Sequence, residues 1–366
     1  MNNNNNNNNN TESMAEAKPL YVDFTWGAGG STSDLTLELA IQAKKRFGLE
    51  PNMHLTCTNM PKNLIDEALK GAKEGGIRNI VALRGDPPKD QEDWKACESG
   101  FSCALDLVKY IRKEYDDYFC ISVAGYPEGH PNVIKPVEGG KDGVSKLSKS
   151  EKTRLVVIEE ENEEKKTVTN YYVCSDSDFA KEIAYLKSKV DAGADLIITQ
   201  MFFEPNVFIE FVKACRGAGI KVPIIPGIML IQAYGGFCRM TKFCKSCVPK
   251  TLKEELEKVK DVSKDVKKLG TKYGVELSTQ LLKAGVCPVL HYYTLNLERV
   301  VMEVLKDLNL YEKNSGKKLS LDESKGLPSN LRDNKLSETV EDLACRMQKG
   351  TILSESRDEF DAVEKK

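Results

Sequence analysis

Asn79–Asp86 reads NIVALRGD: four apolar residues in a row, then an arginine, a glycine and an aspartate. A short apolar run of this kind is a strand covered on both faces, and its polar, glycine-bearing end is the tip where the chain leaves the sheet. The design recurs. Leu20–Trp26 (LYVDFTW), Met53–Cys57 (MHLTC), Ile121–Pro127 (ISVAGYP), Leu196–Phe203 (LIITQMFF), Pro223–Met229 (PIIPGIM) and Val289–Leu295 (VLHYYTL) bring the number of runs to seven. Stretches with helical spacing lie between them, and alternating strand and helix reads as a parallel sheet. Eight such units close a TIM (βα)8 barrel, whose reactive side chains sit where the strands end. All three histidines, His54, His130 and His291, fall in or just beyond the runs. The reading is an α/β chain of TIM (βα)8-barrel type that lacks its first strand and helix. A gap is therefore expected beside Leu20–Trp26.

The helical stretches follow from i, i+4 spacing. Thr32–Phe47 places Leu35, Leu39, Ala43 and Phe47 on one face. Leu64–Gly75 is a second helix, and Phe101–Tyr115 a third with Ala104, Leu107, Val108 and Ile111 inward. Phe179–Ala192 follows the capping candidates Ser175, Asp176 and Ser177. Asn206–Gly217 comes next, Leu252–Leu282 holds one or two more, and Tyr293–Leu310 closes the series with Leu297, Val300, Val304 and Leu308. Pro136–Tyr172 breaks the rhythm. Thr153–Ile158 (TRLVVI) and Thr167–Val173 (TVTNYYV) flank the charged EEENEEKK, which predicts a solvent-facing β-hairpin insertion across 136–173. Residues 1–18, with nine consecutive asparagines, predict a disordered leader. The barrel domain spans 19–310, and 311–366 is a charged, serine-rich tail with one helical pattern at Leu336–Met347.

A net charge of −2 gives no ground for a nucleic acid or an acidic membrane as partner. No apolar run reaches the length of a membrane span. Eleven scattered cysteines and no signal-peptide pattern point to reduced thiols in a cytoplasmic protein. Cys238, Cys244 and Cys247 include a C-x-x-C, but no second pair or nearby histidine completes a zinc set, so no metal is expected.

Several tips could carry chemistry. Arg84 and Asp86 can hold a phosphate and a polar heterocycle, or can pair and cap the next helix. Gly27–Gly30 (GAGG) lets backbone amides approach a phosphate, or is a plain turn, and it does not fit G-x-G-x-x-G. Tyr126–Pro127 and Gly129–His130–Pro131 form a rigid tip. Gln200 offers a donor and an acceptor to a ring amide, or bonds its own loop. Tyr292–Tyr293–Thr294 gives aromatic surface at the last strand's end.

Taken together, Thr25–Trp26, HLTC, ALRGDPP, VAGYPEGHP, DAGADLIITQMFF, PIIPGIM and LHYYTLN resemble, in order and spacing, the methylenetetrahydrofolate reductase family from about Pro19 to Leu310. The resemblance implies FAD as cofactor and NADH or NADPH as reductant, with the folate as substrate. It implies flavin contacts at Thr25, Trp26, His54, Arg84, Gly85, Asp86, Ala104, Tyr126, His130, Glu182 and Lys189, and folate contacts at Asp86, Gln200 and Tyr293. Asp86 is the residue with a catalytic role on this reading, and homo-oligomers are compatible with it. The sequence also departs from the family. The glutamate of the first barrel strand, which protonates the folate, has no counterpart here, and neither Glu38 nor Glu50 can replace it. Cys103 stands for a usual tyrosine, Glu182 for an aspartate, Leu230 for a proline and Leu297 for an arginine found in some members. The competing expectations are a flavin-binding relative that oxidises NAD(P)H without processing folate, and a non-enzymatic partner of a full-length reductase.

Overall fold

The computed structural model describes residues 14–26, 33–86, 96–161, 166–287 and 289–311. The asparagine run, the GAGG turn, Pro87–Pro88, the turn of the hairpin and the tail from 312 onward lie outside these residues. Described structure begins before Pro19, with a helical turn closed by Ala17 N donating to Met14 O (3.1 Å).

All seven runs contain strands. They are β1 (Val22–Phe24), β2 (Pro51–Thr56), β3 (Asn79–Leu83), β4 (Cys120–Gly125), β8 (Leu196–Thr199), the pair β9 (Ile224–Ile225) and β10 (Gly227–Met229), and β11 (His291–Tyr293). The sixth run is split at Pro226, which has no N–H to give to a ladder. The strands bond in the order β1-β2-β3-β4-β8-β9, with β10-β11 a separate parallel pair. β1 pairs in parallel with β2, its one strand neighbour among the described residues. The fold class is α/β, with the parallel βα units of a barrel. Two compact units are distinguishable among the described residues, one of residues up to 124 with 188–197, the other of 125–187 with 198–311.

In the first unit, register sorts the side chains of β1–β4 by face. Asp23 lies beside Asn52, Asn52 beside Asn79, His54 beside Val81, and Val81 beside Ser122. Because successive side chains alternate, Met53, Leu55, Ile80, Ala82, Ile121 and Val123 share the opposite face, and all six are fully buried. The helices α1 (Ser33–Phe47), α2 (Lys62–Glu74) and α3 (Ala104–Tyr115) accompany these strands. The inward set of α3 is as expected. That of α1 is rotated: Thr36, Ala40 and Ala43 are buried, whereas Leu35 is 49% exposed. The cause is α2, whose Gly71 and Gly75 leave room for Leu37 and Ile41 to lie directly against its backbone. From α3, Arg112 donates to Gly193 O (2.7 and 2.9 Å) and to Phe119 O (2.7 Å), and it pairs with Asp195, which accepts from Ile121 N. These bonds fix the start of β4.

The second unit contains the predicted hairpin, β6 (Val156–Glu161) against β7 (Thr167–Val173), joined by β5 (Lys135–Pro136). Residues 153–155 are not strand: α4 (Lys149–Thr153) ends there, started by a Ser148–Glu151 capping box. The hairpin's far end is exposed, but Val156 and Val173 at its base are buried. Helices α5 (Asp176–Asp191), which runs on into the first unit, and α6 (Pro205–Gly217) match expectation. The long lysine-rich stretch divides into α8 (Lys250–Val259) and α9 (Ser263–Ala284), and α7 (Tyr234–Cys244) precedes them without having been foreseen. Its Phe237 and Cys244 enter a core with Phe203, Met229, Ile231, Leu252, Leu256 and Val266. The last helix, α10 (Glu298–Asp307), buries Val300 and Val304, but Leu297 precedes it and is 53% exposed. Among the described residues no helix is long and apolar enough to cross a membrane.

Two helix glycines should respond oppositely to alanine. At Gly71 the new methyl meets only the end of the Leu37 side chain, so Gly71→Ala should gain up to about 1 kcal/mol of helix propensity. At Gly270 it would stand 1.9 Å from Ile231 O, a backbone atom. Gly270→Ala should therefore lose about 1–3 kcal/mol by overpacking, as read from urea unfolding midpoints.

Candidate functional site

Strands of a parallel sheet are ordinarily apolar on both faces. Here the second face of β1–β4 carries Asp23, Asn52, His54, Thr56, Asn79 and Ser122. Asp23 Oδ2 meets His54 Nε2 at 3.0 Å, and Asp23 Oδ1 accepts from Asn52 Nδ2 at 2.8 Å. The side chains of His54 and Asp23 are 16% and 11% exposed. Asn52 Oδ1 and Ser122 Oγ are buried and have no partner among the described residues. Thr25 is exposed at the end of β1 and its carbonyl accepts from Thr36 Oγ1 (3.2 Å), while Trp26 is buried with its Nε1 unpartnered among the described residues.

At the end of β3 the Thr58 hydroxyl, itself buried, donates towards two carbonyls, Arg84 O (3.1 Å) and Asp86 O (3.0 Å). Between them Gly85 has φ +86°, and a Cβ there would lie 2.4 Å from Thr58 Oγ1. Only glycine fits both conditions. The clamp leaves Arg84 half-exposed and Asp86 exposed. The next helix begins at Ala104, which is buried, after Cys103, whose thiol reaches Asp106 Oδ2 (3.4 Å). Burial pushes the neighbouring Cys57 thiol up to about 12, so it is an inert core group. Lys189 is 4% exposed and donates to Ala124 O at 2.7 Å, near the end of β4. The two carboxylates set aside in the sequence are engaged elsewhere. Glu38 is exposed and accepts from Gln42, whereas Glu50 accepts from Lys44 and Asn79, with burial holding its pKa up.

In the second unit, Tyr126 and His130 meet edge to face, centroids 4.8 Å apart, and His130 Nδ1 accepts from Asn132 N (3.2 Å). Gln200 turns its Oε1 to its own loop, accepting from Met201 N at 2.9 Å, the plain alternative considered from sequence. Tyr293 donates its hydroxyl to Thr199 O (2.8 Å) and stacks edge to face on His291. That places Tyr293 beside the strand that ends at Gln200. Glu182 is half-buried on α5. Of the cysteine cluster, Cys238 is exposed, Cys244 is in the core, and Cys247 N donates to the buried carboxyl of Glu128 (3.1 Å).

A family model described as methylenetetrahydrofolate reductase matches residues 2–309. The chain belongs to that family. It is 44% identical over 301 residues to a probable methylenetetrahydrofolate reductase (NADH) of rice, covering 82% of this chain and 45% of the relative. It is 40% identical over 301 residues to methylenetetrahydrofolate reductase 2 of Saccharomyces cerevisiae, covering 82% and 43%. A 5,10-methylenetetrahydrofolate reductase of Pectobacterium carotovorum is 30% identical over 285 residues, with 78% of each chain covered. The chain spans about half the length of the plant and yeast relatives.

Within this member of the family, the residues that sequence reasoning passed over are Asp23, Asn52, Thr58 and Glu128. A signal existed for the first two, since NMHLT alternates polar and apolar and Asp23 sits between Val22 and Phe24. Thr58 gave none, because its role is a bond to backbone some twenty-six positions away. Thr58→Val should remove the side-chain donor to Arg84 O and Asp86 O, leaving Arg84 O only its bond from Cys57 N, and lower stability by about 1–3 kcal/mol. Hydrogen exchange should show the loss concentrated at residues 57–58 and 84–86. Equal loosening throughout the unit would contradict the clamp.

Proposed function

We propose that the chain is the flavin-binding catalytic part of a methylenetetrahydrofolate reductase, using NADH or NADPH to reduce 5,10-methylenetetrahydrofolate to 5-methyltetrahydrofolate by way of FAD. The observation that carries the reading is the Thr58-clamped Arg84–Gly85–Asp86 tip, which holds a cation and a carboxylate outward on a fixed turn. The donor set suits FAD. Buried Asn52 Oδ1, Ser122 Oγ and Trp26 Nε1 still lack partners among the described residues, and a ring with both donors and acceptors supplies them. When bound, FAD supplies two-electron chemistry, taking hydride from the nicotinamide and giving it to the folate.

The chain's own residues do the rest. Asp23 holds His54 Nε2, which fixes the ring's orientation. Arg84, His130 and Lys189 are assigned to the pyrophosphate and ribose side, with Lys189 releasing Ala124 O to reach it. Thr25, Gly85, Ala104, Tyr126 and Glu182 line the flavin. Asp86 is assigned to the pterin's amino edge, where a carboxylate accepts two N–H bonds. Gln200 completes the amide contact by turning from Met201 N, and Tyr293 gives the ring an aromatic wall. A cytoplasmic location fits this chemistry.

A second reading is favoured by one observation: Glu38 and Glu50 are both held by other partners. A chain that supplies no proton to the folate would still pass hydride to an artificial acceptor. A third reading, a non-enzymatic partner of a full-length reductase, would be excluded by finding a yellow chromophore in the purified protein.

Asp86→Asn should weaken folate binding more than FAD retention and shift the flavin potential, while His130→Ala or Lys189→Met should do the reverse and shed FAD. Titration calorimetry with folate and a flavin potential measurement decide; no change in either for Asp86→Asn would undo the assignment. Stopped-flow traces with each nicotinamide then separate the half-reactions. A positioned general acid contributes about 10²–10⁴-fold, so quinone reduction is expected to outrun methylenetetrahydrofolate reduction by a factor in that range. Equal rates would show that the chain does deliver the proton.

A further inference from the structure

The C-x-x-C segment plays no part in the chemistry above, yet it ends against the Tyr126–Ile134 loop, which carries two of the assigned flavin contacts. Lys245 closes α7 in the left-handed region at φ +49°, unusual for a residue with a side chain. Its Nζ donates to Pro131 O (2.9 Å) and Ile134 O (2.7 Å). Two residues on, Cys247 N donates to Glu128 Oε1, and Glu128 is 4% exposed. One turn of chain thus grips both ends of the loop. Between the grips the loop is held by Gly129 N donating to Tyr126 O (3.0 Å) and Val133 N donating to His130 O (2.9 Å). Gly129, at φ +97°, lies so close to Cys174 that a Cβ would stand 2.7 Å from its sulfur.

We propose that Lys245–Cys247 is a latch on the Tyr126–Ile134 loop, that Lys245 and Glu128 act as positioning residues for Tyr126 and His130, and that ionisation of the Glu128 carboxyl opens the latch. Burial is what favours the neutral acid. At the adjoining Cys247, Glu128 and Glu204 both add to the burial that pushes the thiol up to about 12. Lys253 opposes them at Cys247, but its Nζ is donated to Val157 O (2.6 Å). Tyr273, raised by burial and by Glu204, stays a neutral phenol. Lys245, its pKa lowered by burial, is spent on the two carbonyls. Burial outweighs the backbone N–H bonds on Glu128 and pushes it up to about 8. The sign follows: the folded state keeps a proton that the unfolded chain releases near the ordinary value of 4.5. Stability of the latched form therefore falls as pH rises from about 4.5 to about 8, and is flat above.

The test is hydrogen exchange on the full chain without added flavin, from pH 6 to pH 9.5, corrected for intrinsic rates. Amides of the Tyr126–Ile134 loop should lose protection about tenfold per pH unit from pH 6 and level off near 8 in the unsubstituted chain. Glu128→Gln should show no such fall, Lys245→Met should be unprotected at every pH, and Lys245→Arg should restore protection. Protection independent of pH, or an unchanged fall in Glu128→Gln, would overturn the proposal. The flavin consequence rests on the functional reading above and has its own arm. FAD retained through gel filtration should fall over the same pH range in the unsubstituted chain and not in Glu128→Gln. Retention that stays constant over that range while the loop opens would show that Tyr126 and His130 are not flavin contacts. A chain that never holds FAD but keeps the exchange profile would sink the functional reading and leave the latch standing.

Discussion

The carboxylate of Asp23, held between Asn52 Nδ2 and His54 Nε2, is the interaction on which the polar face of β1–β4 depends. Taking a charge out of water is costly, and it is tolerated where every lone pair finds a donor. Strand register supplies those donors. Asp23 is opposite Asn52, so a slip of one residue between β1 and β2 would send the carboxylate into the hydrocarbon layer of Met53 and Leu55. The same register sets where each strand stops, and hence where Trp26, Thr58 and the arginine tip stand. The apolar face provides stability, and the polar face provides uniqueness of pairing.

Much of this architecture was legible because strand tips announce themselves. NIVALRGD, LIITQMFF and PIIPGIM each combine β-branched residues with a polar or glycine-bearing end, and each became strand. What the runs concealed was sidedness. Reading MHLTC as simply apolar missed that Asn52, His54 and Thr56 point one way and Met53 and Leu55 the other. Helix faces failed for a related reason. Leu35 satisfied the spacing of α1, yet the glycines at α2 rotated the buried stripe towards Thr36, Ala40 and Ala43, which no periodicity within α1 reveals. α7 escaped notice because Tyr234–Gly235–Gly236 is a poor opening for a helix, and Phe237 and Cys244 in the core override that preference.

The candidate site divides similarly. Tip residues such as Arg84, Asp86 and Tyr126 were visible from position alone, and family resemblance gave them roles. The partners that hold them were not visible, because backbone-directed bonds leave no pattern: Thr58 beneath the Arg84–Asp86 turn and Lys245 beneath Pro131 and Ile134 are distant in sequence. Two side chains also stand differently from their expected tasks. Lys189 is bound to Ala124 O and Gln200 to Met201 N, so each has a bond to give up before it can meet a ligand.

Gly227 offers a last consequence. Its missing side chain is the space into which the Tyr293 ring fits, 2.6 Å from where a Cβ would be, with Thr199 O at 2.1 Å from the same point. The Tyr293 hydroxyl then reaches that same carbonyl. Strand β10 and strand β11 are therefore not free to drift apart in evolution. A lineage that gained even alanine at 227 would have to move both the Thr199 backbone and the aromatic at 293. The two positions should be inherited as a pair, and a hybrid assembled from relatives that differ at both would fail at this seam before any change in chemistry was felt.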